Sequence, residues 1–140
     1  MKTLLSVLVL ATTVACASGS TSAPSDQTLA AVDVVLDQQF SLKVGQEGRI
    51  AGSDLRVRFV GVVADSRCPS NVVCVWEGNA EIGLLLSGAG DATRQLNTRT
   101  EPVSIEYGGR RIRLVGLTPY PVEGRETPKN GYVAELVISE

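Results

Sequence analysis

The chain has 140 residues with 13 Lys+Arg against 15 Asp+Glu, which allows one core of ordinary size and excludes the basic face that nucleic-acid binding needs. It contains no histidine, so Ser/His/Asp triads, Cys/His pairs, the usual zinc sites and the commonest general base are missing together. Three cysteines remain, Cys16 near the start and Cys68 and Cys74 in the middle.

Met1-Lys2 supplies a positive start, Leu4 to Ala11 an apolar stretch, and small or aliphatic residues run up to Cys16, the layout of an export signal over residues 1–15. The apolar stretch is shorter than the roughly 20 residues that cross a bilayer as a helix. Thr12-Thr13-Val14-Ala15-Cys16 resembles the lipobox of bacterial lipoproteins, with Thr13 where Leu or Val is usual. The resemblance implies cleavage before Cys16 and its acylation, which attaches the chain to a membrane and accounts for the odd cysteine. Plain secretion with a free Cys16 is the alternative. Ser18, in place of an Asp close after Cys16, resembles the outer-membrane sorting class of Gram-negative lipoproteins, on the periplasmic side. Residues 16–30 follow as lipidated cysteine and tether. Their stretch ASGSTSAPSDQT is small, polar and flexible by composition, with a reach of roughly 20 Å.

From residue 31 to residue 140 a single β-domain is expected, because apolar and polar residues alternate in short runs broken by glycines, and no long helical period appears. The predicted strands are Gln39 to Val44, Gly48 to Ala51, Leu55 to Ala64, Asn79 to Ser87, Ala92 to Thr98, Val103 to Tyr107, Arg110 to Thr118 and Gly131 to Ser139. Val32 to Leu36 reads equally as a further strand or a helical turn.

The segment Arg56-Val57-Arg58-Phe59-Val60-Gly61-Val62 matches Arg111-Ile112-Arg113-Leu114-Val115-Gly116-Leu117, with four of seven residues identical. Ile50 answers Ile105, Leu42 answers Leu96, and Ala80-Glu81-Ile82 answers Ala134-Glu135-Leu136 one residue off register. Two similar four-stranded halves follow, about 39–87 and 92–139, packed as an all-β antiparallel sandwich or barrel of about eight strands. Val57, Phe59, Ile112 and Leu114 are expected inside, with Arg56, Arg58, Arg111 and Arg113 outside beside Glu81 and Glu135 as cross-strand pairs on a solvated face. Gly61 and Gly116 are placed as paired bulges and Gly108-Gly109 as a tight hairpin.

Each half carries one long connection between its third and fourth strands, Asp65 to Gly78 and Thr118 to Asn130. A pseudo-axis along the barrel brings both to one end, the natural place for a site. Cys68 and Cys74 bracket five residues in an exported chain, so spacing and compartment both favour a disulfide. Asp65-Ser66-Arg67-Cys68-Pro69 with Cys74, Trp76 and Gly78-Asn79-Ala80 resembles a motif of small bacterial lipoproteins and secreted proteins without an established activity. The likeness takes in most of the mature domain, including Pro119-Tyr120-Pro121 and Gly131-Tyr132. It implies the same fold and the disulfide and assigns no function.

Arg67, Trp76, Glu77, Tyr120 and Tyr132 are the candidate binding residues of the two loops. The commoner use of aromatics such as Trp76, Tyr120 and Tyr132 is to plug the end of a barrel, and the other is a contact surface. Asp65 and Arg67 are expected to hydrogen-bond the loop backbone. Asp65 and Glu77 are candidates for paired-acid hydrolysis, but nothing in their spacing makes them converge. No catalytic residue, metal or cofactor is therefore expected. The composition and location point to a non-catalytic binding or structural module of the cell envelope, with an envelope protein or glycan as partner at the loop rim. The alternative is an inhibitor of a secreted hydrolase, a lysozyme or protease, acting through the disulfide loop.

Overall fold

In the run Arg56-Val57-Arg58-Phe59 every second side chain is charged and every other one is apolar, and a strand of period two turns these onto opposite faces. A computed structural model describes residues 29–140 and places Val57 and Phe59 in the core with Arg56 and Arg58 in solvent. The expectations for the export signal, for Cys16 and for most of the tether lie outside the described residues.

Nine strands occur among the described residues: β1 (Val32–Val34), β2 (Gln39–Lys43), β3 (Glu47–Ile50), β4 (Arg56–Asp65), β5 (Ala80–Ser87), β6 (Ala92–Asn97), β7 (Ser104–Tyr107), β8 (Arg110–Thr118) and β9 (Val133–Ser139). They form a five-stranded sheet in the order β1-β3-β4-β5-β6 and a four-stranded sheet in the order β2-β9-β8-β7, packed as an all-β sandwich. Of the ambiguous segment Val32–Val34 is a strand, parallel to β3 with Val32 beside Gly48, while Val35 and Leu36 lead into a turn. All the other strand pairs are antiparallel.

The repeat is present, with an exchange. The order β3-β4-β5-β6 in one sheet corresponds to β7-β8-β9-β2 in the other, so the first strand of each half adds to the sheet of its counterpart. Leu42 on β2 sits opposite Ala134 on β9, and Leu96 on β6 opposite Ile82 on β5. Both leucines are wholly buried. Gly61 and Gly116 each mark a shift of register at the same point of β4 and β8. Gly108 and Gly109, both at positive φ, turn the chain between the paired Tyr107 and Arg110.

Two of the sequence correspondences move. Phe59 faces Leu84 and Leu114 faces Leu136, so Leu84 answers Leu136 and the match of Ala80-Glu81-Ile82 to Ala134-Glu135-Leu136 is two residues out. Likewise Gly48 faces Val57 as Ile105 faces Ile112, which makes Gly48, not Ile50, the counterpart of Ile105. In the second case the β3–β4 connection is longer than β7–β8, whereas in the first the connections are equal and β4 and β5 pair further past the bulge, with a second shift of register between Val62 and Ala64.

The surface charges also pair differently from expectation. Glu47 lies within 3.4–3.6 Å of Arg49, Arg56 and Arg58, and Glu106 holds Arg111 at 2.6 Å. Glu135 instead accepts from Gln39 at 3.1 Å. The partner acids stand on β3 and β7, the neighbours of the arginine-bearing strands on the side away from Glu81 and Glu135. Such exposed pairs contribute about 0–1 kcal/mol each.

Leu42 and Leu96 are equivalent parts of one core, so Leu42→Ala and Leu96→Ala should each lower stability in urea by about 2–5 kcal/mol. A loss below about 1 kcal/mol for either would show that the exchanged strands do not close the core.

Candidate functional site

Beyond β4 and β8 the two long connections meet at one end of the sandwich, and a buried cation joins them. Arg67 is 6% exposed. Its Nε and Nη2 donate to the two carboxylate oxygens of Asp65 at 2.9 and 2.7 Å. Its Nη1 donates to the Leu117 carbonyl at 2.5 Å, and Nη2 also donates to the Pro119 carbonyl at 2.9 Å. The Tyr120 ring stacks on the guanidinium, 4.7 Å from Cζ to centroid. The Tyr132 hydroxyl donates to Asp65 at 3.3 Å. Arg67 thus links the end of β4 to the end of β8, and so one sheet to the other.

Burial alone would raise the Asp65 carboxyl. The Arg67 side-chain and backbone hydrogen bonds, the guanidinium charge and the Tyr132 hydroxyl together hold it below its ordinary value. Asp65 is therefore a fixed anion in an ion pair.

The rest of the first loop is an irregular hairpin. Ser66 N–H donates to Asn79 O at 2.8 Å and Cys68 N–H to Glu77 O at 3.0 Å. The Cys68–Cys74 disulfide closes its outer part with Cα atoms 5.9 Å apart. Gly78 has φ +70, and a Cβ there would lie 1.8 Å from the Ser66 carbonyl oxygen, so only glycine lets the two arms approach this closely. The second loop is welded to the first. Ser70 N–H donates to Pro121 O at 2.9 Å, and the Asn71 amide accepts from Glu123 N–H at 2.7 Å while donating to Glu123 O at 3.5 Å.

The candidate residues divide into two groups. Arg67 and Tyr132 converge on Asp65, with Tyr132 packed on the core, and Tyr120 covers Arg67 while keeping about half of its own surface in solvent. Trp76 and Glu77 stand outside this group. Glu77 forms an exposed ion pair with Arg99. Trp76 is 81% exposed, and the neighbouring Val75 and Val73 are 93% and 101% exposed. Its indole N–H has no hydrogen-bond partner among the described residues. The plug reading fails for Trp76, because the disulfide turn carries it past the end of the sandwich instead of over it. Beside Tyr120 lies an open cleft of about 650 Å³ whose lining includes Arg99 and Glu135.

Sequence reasoning passed over Asn79, Asn71 and Gly78 as functional parts of the loop. The Asn79 carboxamide oxygen accepts from Thr98 Oγ1, Arg99 N–H and Thr100 N–H, and its amide donates to Asn97. One side chain thereby holds the β6–β7 turn against the rim. A polar residue directly before a buried strand start was the available signal. Among the described residues no three Cys, Asp or Glu side chains converge as metal ligands do, and no helix is long and apolar enough to cross a membrane. Comparison with family models, with curated proteins and with solved structures returns no match to this chain.

Removing the Arg67 side chain leaves a largely buried carboxylate without its cation, held only by the Tyr132 hydroxyl and a backbone N–H, and takes a donor from two carbonyls, so Arg67→Met should cost about 3–5 kcal/mol in denaturant. A cost below about 1 kcal/mol would remove the guanidinium from its place as the frame of the rim.

The lowered Asp65 value fixes the sign of the acid response. Its contribution is complete above the unfolded Asp value of about 3.9 and is lost as pH falls through the lower folded value. The stability gap between wild type and Asp65→Asn should be flat from about pH 5 to 7 and narrow below about pH 4. A gap that widens on acidification contradicts this assignment.

Proposed function

We propose that the chain is an exported, non-catalytic binding module of the bacterial cell envelope, held to its membrane by an acylated Cys16 and making contact through the rim of the two loops. The observation that carries this reading is the exposed trio Val73, Val75 and Trp76 on a loop fixed from behind by a disulfide, a buried ion pair and a weld to the opposite loop. Tryptophan on a rigid projection is the usual chemistry of a binding hot spot, and rigidity lowers the entropy lost on contact. The lipobox-like run before Cys16 and the likeness of the first loop to small bacterial lipoproteins support the anchored part, with the outer membrane as destination in a Gram-negative cell.

A second reading is favoured by the same projection: a stiff loop that stands clear of its domain is shaped to enter the cleft of a secreted hydrolase, a lysozyme or protease, and block it. The two readings differ in the partner and agree on the contact residues.

Cys16→Ser should move the protein from the membrane to the soluble fraction, and a variant that stays membrane-bound removes the anchor. For the rim, cross-linking in intact envelopes should capture a component with the native Cys68–Cys74 loop and lose it when a short Gly-Ser turn replaces the loop. Trp76→Ala should weaken that contact by roughly 30-fold or more while leaving stability within about 0.5 kcal/mol. Equal capture by both loops sinks the rim, and inhibition of a purified lysozyme or protease that Trp76→Ala abolishes selects the second reading.

A further inference from the structure

We infer that the rim tip formed by Val73, Val75 and Trp76 rests in the interface of the same bilayer that holds the anchor, so that the domain stands rim-down on its own membrane. This deepens the proposed function and rests on its acylated Cys16.

Chain direction is the first argument. β4 runs toward the rim, β3 is antiparallel to it and β1 is parallel to β3, so the chain entering β1 is heading away from the rim. The Ala30 carbonyl is held by Gln46 at 2.8 Å, and the neighbouring Gly45 N–H donates to Phe59 O at 2.7 Å. Ala30 therefore lies abreast of Phe59, six residues short of the end of β4 at Asp65, a distance of about 20 Å at strand rise. Thirteen residue steps separate Cys16 from Leu29 and span at most about 45 Å. A lipid on Cys16 thus reaches the plane of the rim from the side on which the chain arrives.

Size is the second. Three side chains present a few hundred Å², well below the roughly 800 Å² that each partner gives to a stable protein interface. For a surface already tethered nearby the demand is smaller, because a short linker supplies an effective concentration in the mM range. A contact with a dissociation constant of about 1 mM then holds about half the molecules. Tryptophan is also the side chain that favours the membrane–water boundary.

Charge is the third. In the loop that carries the tip Asp65 is paired with Arg67 and Glu77 with Arg99, and no other charged residue lies between Asp65 and Gly78. A tip loop with every charge paired is neither repelled nor steered by lipid charge, so its insertion is apolar and indifferent to headgroup sign.

Trp76 is the sole tryptophan of the chain and reports its own surroundings. Mass measurement of the protein extracted from envelopes comes first: an unacylated Cys16 overturns the anchored reading and this inference with it. The acylated protein in phosphatidylcholine vesicles should co-sediment, show blue-shifted Trp76 emission and lose about half of it to bromine-labelled acyl chains. The same response is expected with anionic lipid added. Val73→Ser with Val75→Ser should still co-sediment through the anchor but give solvent-like emission and little quenching. Co-sedimentation of the unaltered protein with solvent-like, unquenched Trp76 overturns the inference and leaves the anchor standing. A shift that requires added envelope protein assigns the tip to a protein partner and overturns it too.

Discussion

A guanidinium taken out of water must find acceptors for the hydrogen bonds it gives up, and at the end of a sandwich those acceptors are strand-end carbonyls and one carboxylate. Arg67 finds the carboxylate two residues back in its own chain and the carbonyls some fifty residues ahead, at Leu117 and Pro119. The geometry of both loops follows from this. Asp65 is fixed at the end of β4, Tyr120 is drawn over the cation, and the second loop is brought close enough for Asn71 to clasp Glu123. The ion pair is weak as a source of net stability and strong as a constraint on position, because either partner left alone would be a buried charge.

The exchange of first strands gives the body beneath the rim a similar kind of mutual dependence. β2 completes the sheet built mostly by the second half, and β6 completes the sheet built mostly by the first. Gln39 is paired with Val137, so the ladder that closes one sheet joins nearly opposite ends of the described chain. Contacts of such long sequence separation require loop closure before they stabilise anything, which makes folding slow and cooperative for a chain of this size. Neither half can bury Leu42 or Leu96 without the other, and the rim, drawn from both halves, exists only when the whole sandwich does.

The strands and their faces were legible because period two is a local property: Val57 and Phe59 inside and Arg56 and Arg58 outside need only their own sequence. The paired bulges were legible because Gly61 and Gly116 sit at matching points of matching strands. Partnerships across strands were less so. Ala80-Glu81-Ile82 looks like Ala134-Glu135-Leu136, yet the core aligns by volume and pleat, and Leu84 is what answers Leu136. The arginines of β4 found Glu47 on the other neighbouring strand for the same reason. At the rim, the roles of Arg67 and Trp76 separated only in three dimensions. That Arg67 bonds loop backbone was legible, but not that its acceptors are the Leu117 and Pro119 carbonyls of the opposite half, and a lone tryptophan reads as core until its neighbours are known.

From Asp65 to Asn79 nearly every side chain of the first loop has a task inside the protein. Asp65 and Arg67 neutralise each other, Ser66 and Asn79 bond across the arms, the cysteines close the turn, Asn71 holds the second loop, and Gly78 permits the close approach. Val73, Val75 and Trp76 have none: they touch water where a Ser or Asn would fold equally well. The exposed apolar residues of the sheet face, Val60, Val63 and Leu85, differ, since Val60 and Val63 flank the space above Gly83, where a Cβ would meet each at 3.8 Å, and so cover a part of the sheet that has no side chain of its own. Apolar side chains standing free on a rigid support are a liability in solution unless a surface covers them, and the loop's internal bonds act to keep them standing.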